Sequence, residues 1–215
     1  MINTQFLIFS LTAYLLGSIP SAVWFGKLFY GIDVREHGSG NAGATNTLRV
    51  LGNKPGFIVL SIDLLKGFLA ANLVVFLKDL EPDTNAYLLY QIAFGALAVI
   101  GHVFPVFAQF KGGKGIATLL GITIALNGML ALICAALFVV IVYITRYISV
   151  GSMLSAIASP FIAFGLYHAE LNALVYFCAI VALLVVYTHR ANIKRLTNGN
   201  ENKFSFTRKQ VDGKS

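Results

Sequence analysis

Residues able to do chemistry crowd into a few short segments. Between residues 31 and 52 the chain reads GIDVREHGSGNAGATNTLRVLG, where Gly38, Gly40 and Gly43 alternate with Ser39, Asn41, Thr45 and Asn46 and the run closes on Arg49. Glycines let successive backbone N–H groups converge on an anion, hydroxyls and amides add donors, and a guanidinium supplies a fork that suits phosphate. The expected chemistry is a phosphate cradle. Gly38 to Gly43 also fits the pattern G-x-G-x-x-G, but no buried strand or β-α-β unit surrounds it, so no dinucleotide site is expected.

A second segment, GHVFPVFAQFKGGKGIAT, carries Lys111, Gly112, Gly113, Lys114 and Gly115 at the start of an apolar run. Exposed N–H groups at a helix N-terminus with two ammonium groups beside them make a second anion site. It is not a Walker loop, because Gly115 follows Gly113-Lys114 where Ser or Thr is required. The third segment is Arg146 to Ser152 with Ser149 between, and the fourth is His189 to Arg195 followed by Glu201. On a helix, His189, Asn192 and Arg195 share a face that can meet a polar substrate. Asp63 and Lys66, three apart in another apolar run, are expected to neutralise each other, and His102 is read as structural. Cys134 and Cys178 have no metal-ligand neighbours, so inert thiols, no metal and no cofactor are expected.

What is missing narrows the reaction. The fifth residues after the histidines are Ala42, Phe107, Ala173 and Lys194, so the His-x-x-x-x-Asp base pair of many thioester-dependent acyltransferases is absent. No Ser-His-Asp set stands out either. Such a site relies on positioning and charge stabilisation, which suits transfer from an activated donor.

The elements that position these segments are membrane helices. Of 215 residues 57% are hydrophobic and only 12% charged, and mean hydropathy is +0.77, which excludes a soluble globular enzyme. Nearly uncharged runs cover about 3–26, 55–77, 85–108, 116–145, 147–167 and 171–188. One helix over 116–145 would be about 45 Å long against a hydrocarbon core of ~30 Å, and Asn127-Gly128 is a turn pair, so two helices are expected there. The fold class is an all-α polytopic integral membrane protein of about seven transmembrane helices, N-terminus outside and C-terminus cytoplasmic. That count places every Lys and Arg except Lys66 and Lys78 on one side, while the 78–85 loop holds Asp79, Glu81 and Asp83. The first run lacks a basic start and is expected to stay as the first helix. Residues 1–215 form a single domain with a polar tail at 197–215. The net charge of +7 favours anionic lipid or an anionic small molecule over nucleic acid.

In Gly17-Ser18-Ile19-Pro20-Ser21, Gly38 to Asn46 with Arg49, Gly101 to Gly115, Arg146 with Ser149 and Ser152, and His189-Arg190 with Asn192, Arg195 and Glu201, the sequence resembles the bacterial membrane acyl-phosphate:glycerol-3-phosphate acyltransferase family. The resemblance implies transfer of a fatty acyl group from acyl phosphate to glycerol 3-phosphate, giving lysophosphatidic acid and inorganic phosphate at the inner face of the bacterial cytoplasmic membrane. It further implies that Ser39, Gly40, Asn41, Thr45 and Asn46, with Lys111 to Gly115, take the acyl-phosphate head. Arg49, Lys114, Ser152, His189 and Asn192 would hold glycerol 3-phosphate, and Glu201 would order the inner-face loops. A donor phosphate oxygen would accept the proton, and a soluble acyl-phosphate-producing enzyme would be a transient partner. A transporter of a phosphorylated metabolite is the alternative, disfavoured because the polar groups gather at one face and no repeat is visible.

Overall fold

The computed structural model describes residues 4–82, 84–167 and 172–204, which are helical with no strand. Asp83 and the tail from 205 onward, on which part of the expected charge asymmetry rested, lie outside the described residues. The helices are α1 (Thr4–Ser18), α2 (Ser21–Tyr30), α3 (Ala44–Leu51), α4 (Asn53–Ala71), α5 (Asn85–Val103), α6 (Ile116–Leu126), α7 (Gly128–Thr145), α8 (Ile148–Tyr167), α9 (Asn172–Thr188) and α10 (Arg190–Thr197).

One expectation changes in detail and another holds. The run 3–26 is not one rod, because α1 and α2 bend by 45° around Ile19-Pro20. Proline has no N–H to continue the ladder, so the chain breaks there. At the break the Ile19 carbonyl accepts from Ser21 N–H at 3.0 Å and from Lys66 Nζ at 2.8 Å, and Ser21 Oγ donates to Asp63 at 2.6 Å. The Asp63–Lys66 pair, 2.9 Å apart and buried, thus ties α4 to the α1–α2 break. The split near 127–128 is as expected: Asn127 is extended, and its side chain accepts from Leu130 N–H to cap α7.

Among the described residues, four segments are long and apolar enough to cross a bilayer, Asn53–Phe76, Asn85–Ala108, Gly128–Thr145 and Ile148–Leu166, and the bent pairs α1–α2 and α9–α10 raise that to six. With 11 residues, α6 is about 16 Å long at ~1.5 Å per residue and falls short of a full crossing alone.

Lipid tails are as apolar as leucine, so membrane helices associate through close packing and internal polar contacts. Here glycines provide the contact points. A Cβ on Gly67 of α4 would overlap the Thr118 carbonyl, and one on Gly121 of α6 would overlap the Leu64 carbonyl. Gly17 meets Ala98 and Gly101 meets Tyr14 in the same way, locking α1 onto α5. Because α6 can lie directly on α4, it also packs on α5, and its N-terminus faces the start of α3 at one end of the bundle.

We expect Gly121→Val to force α4 and α6 apart and destabilise the detergent-solubilised protein by about 1–3 kcal/mol or more. Gly165→Ala, where nothing lies within 4 Å of an added Cβ, should leave the melting temperature unchanged. Thermal unfolding followed by intrinsic fluorescence compares the two.

Candidate active site

At that end of the bundle the first turns of α3, α6 and α8 and the bend between α9 and α10 surround a cleft of about 790 Å³, mouth included. Two helix N-termini face it. Gly43 caps α3 and Gly115, at φ +80°, caps α6, and the residues that follow, Ala44 and Thr45 on one side and Ile116 and Ala117 on the other, line the same space. The first N–H groups of a helix have no partner within it and carry partial positive charge, so two such ends meeting at one cleft favour an anion.

Cations and polar groups reinforce them. The cations Arg49 and Lys114 line the cleft with His189 and Asn192, and Arg195 lines an adjoining mouth with Gly40 and Arg190. Glu201 organises this side: its Oε1 accepts from Ser149 Oγ at 2.9 Å and Asn192 Nδ2 at 2.6 Å, and its Oε2 accepts from Arg195 Nε at 2.7 Å. Asn192 Oδ1 in turn accepts from Lys114 Nζ. One carboxylate therefore links the start of α8, α10 and, through Asn192, the lysine before α6. Burial alone would raise Glu201, but the bonds from Asn192, Arg195 and Ser149 hold it below its ordinary range. Half-buried Arg49 has no hydrogen bond or ion pair among the described residues, and burial pushes it down against the attraction of Glu201. Burial, then the charge of Arg195 and that of Arg49, pushes Lys114 down to about 8, with Glu201 opposing. His189 is fixed through Nδ1, 2.8 Å from the Val185 carbonyl, which leaves the other ring nitrogen for the cleft.

The floor is also polar. Asp63 and His102 reach the cleft, His102 Nδ1 lying 3.2 Å from Thr118 Oγ1 and 3.7 Å from Asp63 Oδ1. One wall is apolar, made by Leu60 of α4, Phe138 of α7 and Ile148 of α8.

The expected residues divide by position. Ser39, Asn41, Gly43, Thr45, Asn46 and Arg49 line the cleft together with Lys114, Gly115, Ser149, Ser152, His189, Asn192 and Glu201. Asn46 is committed to its own loop: Oδ1 accepts from Ser39 N at 2.8 Å and Ser39 Oγ at 3.1 Å, while Nδ2 donates to the Val34 and His37 carbonyls. It shapes the loop rather than offering free donors. Gly38, at φ +62°, packs against that amide, where any Cβ would collide with Asn46. Lys111, Gly112, Gly113 and Arg146 do not line the cleft. Gly112 and Gly113 N–H groups already donate to the Val103 and His102 carbonyls at 3.2 Å each, and an added Cβ would overlap the end of α5, so their smallness serves close packing. Arg146 ends α7 in the left-handed region, lies over the Tyr143 ring, and its carbonyl accepts from Phe204 N–H. The apolar wall went unassigned in the sequence, because Leu60, Phe138 and Ile148 look like any lipid-facing residues there.

Residues 7–199 match the family model described as glycerol-3-phosphate acyltransferase. The chain is 48% identical to a glycerol-3-phosphate acyltransferase of Chlorobaculum tepidum, over 95% of this chain and 98% of that protein. It is 45% identical to one of Bacillus cytotoxicus, over 93% and 96% of the two chains. Its fold resembles the crystal structure of PlsY (YgiH), an integral membrane glycerol 3-phosphate acyltransferase in its glycerol 3-phosphate form, with TM-score 0.82 and 37% identity over 93% of this chain and 96% of that one.

If protonated Lys114 helps hold an anion, affinity falls as pH rises through its pKa of about 8. For sulfate, whose own charge does not change in this range, calorimetry should show up to about tenfold weaker binding at pH 9 than at pH 7. Lys114→Arg, which stays charged, should flatten that decline.

Proposed function

The chain belongs to the glycerol-3-phosphate acyltransferase family and acylates glycerol 3-phosphate in phospholipid synthesis, and we propose that its acyl donor is an acyl phosphate. The observation that carries this reading is the pairing of two helix N-termini and three cations with an apolar wall around one cleft that holds no His-x-x-x-x-Asp base pair. Two phosphates and one hydrocarbon chain match those parts.

Arg49 and Lys114 bind the phosphate of glycerol 3-phosphate, with His189, Asn192 and Ser152 completing its pocket. The loop carrying Ser39, Gly40, Asn41 and Thr45, shaped by Asn46, takes the acyl-phosphate head beside the N-terminus of α6. Leu60, Phe138 and Ile148 receive the first carbons of the chain. The glycerol hydroxyl oxygen attacks the acyl carbonyl carbon, the new ester C–O bond forms, and the bond to the phosphate oxygen breaks. The hydroxyl proton passes to an oxygen of the departing phosphate, so no protein base is required. Helix N–H groups and the nearby cations stabilise the negative charge that develops. The products are lysophosphatidic acid and inorganic phosphate.

The same reading gives the membrane arrangement. The chain forms one domain with seven passes through the bacterial inner membrane, namely the four long segments, the two bent pairs and the short α6, with the N-terminus outside and both the cleft and the C-terminus cytoplasmic. The short α6 begins below the interface, which sinks the cleft to where an acyl chain in the leaflet can reach it. A soluble enzyme that makes acyl phosphate is the transient partner.

Purified protein in detergent, given palmitoyl phosphate and glycerol 3-phosphate, should release inorganic phosphate only when both are present and form lysophosphatidic acid. Acyl-CoA should not replace the acyl phosphate; efficient turnover with it would overturn the donor assignment. Arg49→Ala and Lys114→Ala should each lower kcat/KM for glycerol 3-phosphate by roughly 10- to 100-fold, as loss of a charged hydrogen bond implies, while leaving a folded protein. Unchanged kinetics in both would reject the site.

A further inference from the structure

Arg35 touches no part of the cleft, yet it joins the two loops that build it. Its Nε and one terminal nitrogen donate to the Asp33 carboxylate at 3.0 and 2.7 Å. Its other terminal nitrogen donates to the Ala108 carbonyl at 3.1 Å and the Lys111 carbonyl at 3.4 Å. The Arg35 guanidinium holds the Asp33 carboxyl well below the usual carboxylate range, with Lys27 3.2 Å away on the same oxygen pair, so the clamp stays ionised.

Between the two carbonyls that Arg35 grips lie Gln109 at φ +56° and Phe110 at φ +58°. Two adjacent non-glycine residues in the left-handed region are strained, and such a turn persists only where its surroundings hold it. Side-chain burial does not compensate, since both residues are exposed. Immediately after the turn the chain folds back along α5. Gly112 N–H donates to the Val103 carbonyl and Gly113 N–H to the His102 carbonyl, and the next residue is Lys114. On the other side, Arg35 sits in the short turn Val34–Glu36, and the Val34 carbonyl and that of His37, which ends the turn, receive the Asn46 amide that shapes the Ser39 loop.

We propose that Arg35, braced by Asp33, is a positioning residue: it pins the strained Gln109-Phe110 turn and so sets the register in which Lys114 and the N-terminus of α6 enter the cleft opposite the Ser39 loop. The kinetic part of this proposal rests on the role of Lys114 given above. Without Arg35, the turn relaxes towards ordinary backbone angles and the Lys111–Gly115 segment slips on α5. Lysine cannot substitute fully, because it lacks the planar fork that reaches a carboxylate and a second loop at once.

The test compares Arg35→Ala, the pair Gln109→Gly with Phe110→Gly, and all three substitutions together in the full-length protein. Glycine adopts the left-handed region without strain, so the pair alone should be near wild type and should rescue Arg35→Ala. Hydrogen exchange over residues 108–116 and steady-state kinetics are both read. Arg35→Ala should speed exchange at Gly112 and Gly113 and raise KM for glycerol 3-phosphate about tenfold with kcat within about twofold, and the glycine pair should reverse most of both changes. Unchanged exchange in Arg35→Ala, or no rescue by the glycine pair, would overturn the proposal. Should Arg35→Ala fail to fold, Arg35→Lys carries the same comparison, with a smaller defect and the same required rescue. Lys114→Ala run in parallel separates the two readings. If it leaves KM unchanged the substrate assignment fails, while the exchange result still decides the clamp.

Discussion

Everything at the cleft follows from holding several cations together, partly out of water, with too little negative charge of the protein's own. Arg49, Lys114 and Arg195 repel one another, and burial costs Arg49 and Lys114 hydration. Glu201 offsets part of that repulsion, and its three hydrogen-bond donors leave it fully engaged. On the reading proposed above, the phosphate of a substrate supplies the negative charge that the protein itself lacks here.

A site of this kind needs a rigid frame, since like charges left free would swing apart into solvent. The frame is built below it. Asp63 of α4, buried between Ser21, Lys66 and His102, joins α2, α4 and α5 beneath the cleft, and Lys66 donates to the Ile19 carbonyl at the break between α1 and α2. A buried ion pair contributes little net stability after desolvation, but removing one partner leaves an uncompensated charge and is costly. Its role here is to fix which helix faces meet. The glycine contacts between α4 and α6 then set how closely α6 approaches, and that distance places its N-terminus in the cleft.

Two glycine-rich segments look alike in the sequence and behave differently. In the first, Gly38 and Gly40 adopt positive φ and Gly43 caps α3, so the loop bends sharply at the cleft, while the Ser39 and Gly40 N–H groups are given to Asn46 Oδ1 and the His37 carbonyl. In the second, only Gly115 takes that part, while Gly112 and Gly113 give their N–H groups to α5. Glycine satisfies both demands, left-handed backbone and zero side-chain volume. Composition alone cannot tell them apart, because the difference lies in what is packed against each residue.

Hydropathy and charge by themselves determined that the chain is a helical membrane bundle broken near residues 127–128, and that its chemistry gathers at one end. Those properties are local: a helix in lipid must be apolar along its own length, and basic residues must flank it. That Ser39, Arg49, Lys114, His189, Asn192 and Glu201 belong to the polar segments that meet at one cleft was also legible, because such groups are rare in so apolar a sequence. Only the tertiary structure decided that Asn46 serves its own loop, that Lys111 and Arg146 stay out of the cleft, and that Asp63 and His102 form its floor. It also revealed the reach of Arg35 across more than seventy residues to the turn before Lys114. These are facts of contact between distant segments, fixed by how closely glycines let helices approach and by where buried donors find acceptors. No pattern along a single chain carries that information.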